Sequence, residues 1–131
     1  MTRAGGVPAT ERLLADVRVV DLGAEPCQIA GRVLADLGAD VVKVEPASGD
    51  PLRRSPPFDA ATGRSLRFWA WNINKRAAAT TIDGDGIEDL MAGADIVLAS
   101  SPEGPGDPGA PHASRITVTP FGLTGPMAGW R

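Results

Sequence analysis

The chain has 131 residues, enough for one domain, and 43% of them are hydrophobic, which excludes a disordered protein by composition. Its net charge of −3 argues against a broad nucleic-acid-binding surface, and its single cysteine cannot form an internal disulfide. No apolar run reaches the length of a signal peptide or a membrane span, so we expect a soluble, cytoplasmic protein.

The clearest predicted elements are a strand, a helix and a second strand near the start of the chain. Residues 17 to 22 (VRVVDL) form a short β-branched run that predicts a strand. Pro26 suits the first turn of a helix, and Gly38 stands where a helix cap is expected. The helix has an apolar stripe of Ile29, Ala30, Val33, Leu34 and Leu37 opposite Gln28, Arg32 and Asp36. Residues 41 to 44 (VVKV) supply the second strand, so a βαβ unit with a right-handed parallel crossover is predicted.

The remainder of the chain alternates irregular segments with short predicted elements. Residues 46 to 66 are predicted to be irregular, and the aromatic run LRFWAW at 66 to 71 is compatible with either a helix or a strand. Asp85 and Glu88 have the spacing of a capping box, which predicts a short helix capped by Asp85. Further strands are expected at 78–82, 95–99 and 116–119, with a Pro/Gly-rich loop at 100–114. Strands that alternate with helices predict an α/β fold, with a Rossmann-like parallel sheet and flanking helices.

The carboxyl ends of the predicted strands are the candidate binding edge, because ligands of open parallel sheets bind there. The loops expected at that edge follow Leu22, Glu45, Ile82, Ala99 and Thr119. The loop after the first strand reads GAEP and lacks the G-x-G-x-x-G pattern, and no P-loop motif is present. The sequence therefore disfavours nicotinamide dehydrogenases and P-loop enzymes.

Two pairs of adjacent cations are candidates for anion binding, Lys75-Arg76 and Arg53-Arg54. Taken alone, each pair is better interpreted as a solvated basic turn. Cys27, at the start of the predicted helix, lies where a thiolate would be stabilised, but a small buried residue is the favoured interpretation. The sequence shows no Ser-His-Asp set and no metal-ligand spacing, so no catalytic and no metal-binding residue is assigned.

Five separated stretches resemble one known family, in the same order along the chain. They are VRVVDLG, VLADLGADVVKVEPASGDPLR, NINKR, GADIVLAS and ITVTPFGLTGP. Together they are similar to the N-terminal part of family III CoA-transferases, the CaiB/BaiF type that includes carnitine-CoA and bile-acid-CoA transferases. The run LGADVVKVE-P-x-x-GDP-x-R is distinctive, and FGLTGP matches the F-G-x-x-G-P of the family. Racemases of α-methylacyl-CoA share the fold and begin in the same way.

The resemblance covers residues 15 to 131 and implies the N-terminal portion of a larger CoA-transferase fold. Residues 1 to 14 are expected to be a flexible segment, and residues 15 to 131 a Rossmann-like domain. The chain ends at Trp130-Arg131 without a polar tail, which we interpret as a truncated polypeptide. In the family a second domain completes the fold and two chains form an interlocked, ring-shaped dimer, so a homo-oligomer or a partner chain is expected.

The resemblance also implies a reaction in which CoA moves between carboxylic acids. An aspartate attacks the acyl-CoA and gives a mixed anhydride and then a CoA-thioester, which is covalent catalysis by a carboxylate. CoA or acyl-CoA is then a substrate, with no tightly bound cofactor. The family's aspartate lies beyond F-G-x-x-G-P, past Arg131, so the chain alone is expected to be inactive. The positions that match CoA-contacting places are Ala24, Glu25, Pro26, Lys75, Arg76, Ile82, Asp83, Ser100 and Ser101.

The sequence departs from the family pattern in its first and fourth loops. Residues 25 to 27 read Glu-Pro-Cys where the family commonly has Ala-Gly-Pro, and Glu25 places a negative charge near an anionic ligand. Residues 99 to 104 replace the family's E-N-F-x-P-G. An alternative hypothesis is therefore a non-catalytic relative that binds acyl-CoA or a partner subunit. Without its partner, the chain would expose Phe68, Trp69, Trp71 and Trp130, which predicts self-association.

Overall fold

The computed structural model describes residues 12–25, 27–80, 86–100 and 112–129. Five strands pair in parallel in the order β3-β2-β1-β4-β5. They are β1 (Arg18–Asp21), β2 (Asp40–Glu45), β3 (Arg76–Ala79), β4 (Ile96–Ala99) and β5 (Ser114–Thr117). The predicted α/β fold with a parallel sheet is confirmed. The strand order reverses direction at β1, which places a topological switch point between β1 and β4.

Within the described residues, three helices and one short turn accompany the strands. They are α1 (Cys27–Asp36), α2 (Leu66–Asn72), α3 (Ile87–Ala92) and a 3₁₀ turn at Pro51–Arg54. Ser65 caps α2, because its hydroxyl oxygen accepts a hydrogen bond from the Phe68 N–H at 3.1 Å. The run at 66 to 71, compatible with helix or strand in the sequence, is therefore a helix. In the part of the chain that the structure describes, no helix has the length and hydropathy of a membrane span.

The sheet is packed on both faces, as the strand alternation requires. Val20 and Val44 pack on one face against Ile87 and Met91 of α3. Val19 and Val41 point to the other face and pack with Cys27, Ala35, Ala39 and Leu98 around α1. Each face therefore has its own apolar cluster, and β1 and β2 contribute to both.

Helix α1 packs through a different face than its apolar stripe suggests. Gln28 is 1% exposed, whereas Ile29 and Val33 are 45% and 51% exposed. The buried face instead carries Cys27, Gly31 and Ala35, with Ala30 and Leu34 partly buried beside it. Small residues at this spacing let the helix approach the sheet closely. The side chains that lie directly below the helix are polar.

Several predicted boundaries differ from the structure. The strands β3 and β5 begin two residues earlier than expected, at Arg76 and Ser114. Both are edge strands with mostly exposed side chains, so their apolar residues do not mark where backbone pairing starts. The expected cap of α3 is wrong, because the N-cap is Gly86, at a φ of 94° and without a side-chain hydrogen bond. Asp85 itself lies outside the described residues.

Candidate functional site

The loops after β1 and β4 meet at the switch point. The Ala24 N–H donates a hydrogen bond to the Ser100 hydroxyl oxygen at 3.0 Å. Gly23 lies in such close contact with α1 that an added Cβ would come within 2.5 Å of the Cys27 side chain. Only a residue without a side chain fits there, so the loop runs directly across the carboxyl edge of the sheet.

A cavity of about 300 Å³ opens beside this loop, at the carboxyl ends of β1 and β2. Its walls are Leu22, Gly23, Ala24, Lys43, Val44, Pro46, Asp50, Pro51 and Thr80. The wall is largely apolar, and the two charged side chains in it, Lys43 and Asp50, are buried and paired with each other at 3.2 Å. A mainly apolar cavity with a few fixed polar groups is the usual form of a small-molecule site.

A buried ion pair lies behind the cavity and under α1. Lys75 Nζ donates to Asp21 Oδ2 and to the Gln28 carbonyl oxygen, both at 2.7 Å, and to Asn72 Oδ1 at 2.9 Å. The three ammonium donors are thus all used inside the protein. Burial lowers the pKa of Lys75, and the nearby Asp21 carboxylate opposes that shift.

The network continues from α1 to the loop after β2. Gln28 accepts from Asn72 Nδ2 at 2.6 Å and donates to Asp50 Oδ2 at 2.7 Å. Asp50 in turn pairs with Lys43, and its Oδ1 accepts from the Leu52 N–H at 2.8 Å. In the described part of the chain, no buried side-chain nitrogen or oxygen lacks a hydrogen-bond partner. The polar residues in the EPASGDPLR segment therefore hold this loop against the sheet.

Glu45 anchors the same loop from the end of β2. Its two carboxylate oxygens accept from Arg53 Nε at 2.6 Å and Arg53 Nη2 at 2.7 Å, and Oε2 also accepts from the Asp50 N–H. These hydrogen bonds, that of Arg53 first, lower the pKa of Glu45 against the effect of its burial. Arg53 also stacks over the Phe68 ring at 3.9 Å. The arginine considered for anion binding is thus already paired with a carboxylate.

The predicted CoA-contacting residues fall into three groups. Ala24, Glu25 and Ser100 lie at the carboxyl edge, and Glu25 forms an ion pair with Arg67 of α2. Lys75 is 1% exposed and fully engaged below α1. Arg76 begins β3, so it lies at the opposite, amino edge of the sheet, where it pairs with Asp40. The structure brings the first group together and separates Arg76 from it. Pro26, Ile82, Asp83 and Ser101 lie outside the described residues.

Cys27 is fully buried, and its thiol lies 3.5 Å from the Ala99 carbonyl oxygen. Burial first and the Asp21 carboxylate second raise its pKa to about 11. A thiolate is therefore disfavoured at neutral pH, and the interpretation as a small buried residue is confirmed. Within the described ranges, no three His, Cys, Asp or Glu side chains are grouped closely enough to hold a metal ion.

Sequence analysis did not identify Lys43 and Asp50, which have a central role in this site. A signal was present, since Lys43 and Glu45 alternate with valines in a strand that is otherwise apolar. Charged residues at i and i+2 of a buried strand point to one face and need partners there. That pattern could have indicated a buried polar network beneath the binding edge.

Known proteins match most of this chain. A family search matches residues 14–106 to CoA-transferase family III. A probable CoA-transferase of Mycobacterium tuberculosis is 40% identical over an alignment of 116 residues that covers 76% of this chain and 14% of that protein. The succinyl-CoA:(R)-benzylsuccinate CoA-transferase subunit BbsE of Thauera aromatica is 33% identical, over 86% of this chain and 32% of its own. The succinyl-CoA:glutarate CoA-transferase of Mus musculus is 37% identical, over 88% and 30%.

Solved structures show the same relationship. A CAIB/BAIF family protein from Brucella suis superposes with a TM-score of 0.73 at 32% identity, over 86% of this chain and 34% of that one. A protein of Mycobacterium tuberculosis reaches a TM-score of 0.74 at 26% identity, over 89% and 37%. The chain thus spans at most 37% of the length of these relatives and structures.

Proposed function

The chain belongs to CoA-transferase family III, and we propose that it forms the N-terminal, CoA-binding part of an acyl-CoA:carboxylate CoA-transferase. The observation that carries the proposal is the cavity at the carboxyl edge of β1 and β2, beside the switch point. Ligands of open parallel sheets bind outside the carboxyl ends of the strands. Ala24 lines the cavity, and Ser100, a second predicted contact residue, accepts a hydrogen bond from the Ala24 N–H.

The wall supports binding of the less charged parts of CoA. Its apolar residues Leu22, Val44 and Pro46 can cover an aromatic base or the pantetheine arm. Glu25 does not place an unpaired negative charge there, since Arg67 neutralises it. The departure of the first loop from the family pattern is therefore compatible with an anionic ligand.

The proposed reaction moves CoA from an acyl-CoA to a carboxylic acid. In the family an aspartate attacks the thioester, and the covalent anhydride divides a difficult exchange into two easier ones. That aspartate follows the F-G-x-x-G-P motif, at a position after Arg131. We therefore expect the 131 residues to bind CoA without transferring it. Transfer from succinyl-CoA or acetyl-CoA to glutarate by this chain alone would contradict that expectation.

Calorimetric titration with CoA, ATP and NAD⁺ tests the binding proposal. CoA should bind more tightly than either nucleotide, because the pantetheine arm adds apolar contact in the cavity. Ala24→Phe should fill the cavity and weaken CoA binding at least about tenfold, or 1.4 kcal/mol. Ala61→Phe, at an exposed turn, is the matched control. Tighter binding of ATP or NAD⁺ than of CoA would replace the proposal with a general nucleotide-binding domain.

We also propose that the chain assembles with a second copy or a partner subunit. Exposed apolar side chains on α1 and α2 and directly after them support this, namely Ile29, Val33, Leu37, Leu66, Trp69 and Ile73. One relative is itself named as a subunit. Light scattering should give a molar mass above 13.5 kDa at high concentration. A monomer at every concentration would argue against assembly through these helices.

A further inference from the structure

The peptide group between Gly23 and Ala24 is held at both of its polar ends. The Gly23 carbonyl oxygen accepts a hydrogen bond from Lys43 Nζ at 2.6 Å. The Ala24 N–H, in the same peptide plane, donates to the Ser100 hydroxyl at 3.0 Å. Because a peptide group is planar, two bonds on opposite ends fix its orientation. The donor, Lys43, belongs to β2, and the acceptor, Ser100, lies at the end of β4. These are the two strands that flank β1.

The Lys43 side chain reaches this peptide from inside the protein. It is 4% exposed, and Asp50 accepts its second interaction at 3.2 Å. Asp50 is itself held by Gln28 and by the Leu52 N–H. A buried ammonium held in this way is a rigid donor, since its side chain has no free rotamer to adopt. The carbonyl it contacts belongs to a loop residue at the rim of the cavity.

The preceding peptide group is fixed as well. The Gly23 N–H donates to Asp21 Oδ1 at 2.9 Å, while Oδ2 of the same carboxylate pairs with Lys75. Close contact between Gly23 and Cys27 leaves no room for the loop to move toward α1. Two buried charged side chains, Asp21 and Lys43, therefore bond to one glycine of the loop, and Lys75 holds Asp21 in place.

We propose that Lys43 is a positioning residue for CoA binding, which orients the Gly23–Ala24 peptide so that the loop forms one wall of the cavity. The inference rests on the proposed CoA binding. Lys43 also lines the cavity, but its ammonium is directed at the loop and at Asp50, so it acts through the backbone. Ser100 secures the opposite end of the same peptide.

The experiment compares two variants with a control in the full-length native polypeptide. Lys43→Met keeps the length of the side chain and removes its donors, and Ser100→Ala removes the other hydrogen bond. Ile96→Ala, at the amino end of β4, removes partly buried apolar packing at a position outside both the loop and the cavity wall. Hydrogen–deuterium exchange of the Gly23 and Ala24 amides is measured together with the Kd for CoA.

Lys43→Met should raise amide exchange in the loop at least tenfold over Ile96→Ala and weaken CoA binding about tenfold. Ser100→Ala should change both quantities in the same direction, and it carries the test alone if Lys43→Met does not fold. Unchanged exchange in the loop overturns the inference. Faster exchange with the Kd of the control variant overturns the positioning role. If the wild-type polypeptide binds no CoA, the proposed function fails and the positioning role falls with it, whatever the loop exchange.

Discussion

Lys75 and Asp21 form an ion pair whose side chains are 1% and 0% exposed. Removing one member of such a pair leaves a buried charge without compensation, at a cost of about 3–5 kcal/mol. Lys75→Met should therefore lower the free energy of unfolding by about that amount in urea denaturation. Arg76→Met is the neighbouring control, since its pair with Asp40 is largely exposed and should contribute less than about 1 kcal/mol. Equal losses in the free energy of unfolding for the two substitutions would contradict the structural role assigned to Lys75.

Cys27 gives the protein a specific sensitivity to alkaline pH. Its folded-state pKa is raised to about 11 from an ordinary value of 9.0, so the unfolded state loses the thiol proton first. The stability that this group contributes is complete below pH 9.0 and is lost as the pH rises toward 11. The free energy of unfolding should thus fall across this window by up to about 1.4 kcal/mol per pH unit. In Cys27→Ala this part of the slope should be absent, and an identical slope in both proteins would contradict the prediction.

At the scale of single elements, α1 depends on the absence of a side chain at Gly31. A Cβ there would lie 2.7 Å from Asp21 Oδ2 and 3.0 Å from Lys75 Nζ. Gly31→Ala should cost about 1–3 kcal/mol through overpacking, although alanine ordinarily favours a helix interior by about 1 kcal/mol. Thermal unfolding measures the loss. Gly129→Ala, where an added Cβ meets nothing within 4 Å, should be close to neutral. A stabilising effect of Gly31→Ala would show that the Asp21–Lys75 ion pair can move to make room for the added methyl group.

The polar residues of the loop after β2 are explained by the hydrogen bonds and ion pairs that they form. The strand ends in Glu45, and Asp50 and Arg53 follow in the GDPLR segment; all three belong to one network with Glu45 at its centre. The pKa of Glu45 is lowered, so its contribution to stability is present above its unfolded-state pKa and is lost as the pH falls through the folded value. Acid titration of Arg53→Met against the wild type should show a smaller loss of stability at acid pH in the variant. An equal loss would mean that Glu45 does not depend on Arg53.

At the scale of the whole molecule, the outer surface of α1 and α2 carries apolar side chains that the core does not use. Val33 is 51% exposed, with Ile29 and Leu37 one turn away on either side. Val33→Glu should reduce self-association, measured as the concentration dependence of the sedimentation coefficient, because a charge cannot be buried there without a partner. Ala92→Glu, exposed at the end of α3, should leave association unchanged. Association that persists in Val33→Glu would assign the contact to another surface.

Much of this architecture could be predicted from the sequence because local signals agreed with each other. The β-branched run before Gly23 and the valines from Val41 gave β1 and β2, and alternation of strands and helices gave a parallel sheet. The face that α1 buries could not be predicted, since hydrophobic periodicity selects Ile29 and Val33 while close packing selects Gly31. The candidate site was predicted in part. Ala24 and Ser100 meet at the expected edge, whereas Lys75 and Arg76, adjacent in sequence, have separate environments.

The sequence by itself determined the fold class and the family, since both depend on local patterns and on the order of motifs along the chain. Strand and helix periodicities are local, and motifs such as LGADVVKVEPASGDPLR keep their order whatever their contacts. Only the tertiary structure decided what the charged residues in those motifs do. Lys43, Glu45 and Lys75 have buried side chains that pair with Asp50, Arg53 and Asp21. The energy of a charge depends on its burial and its neighbours rather than on its place in the sequence.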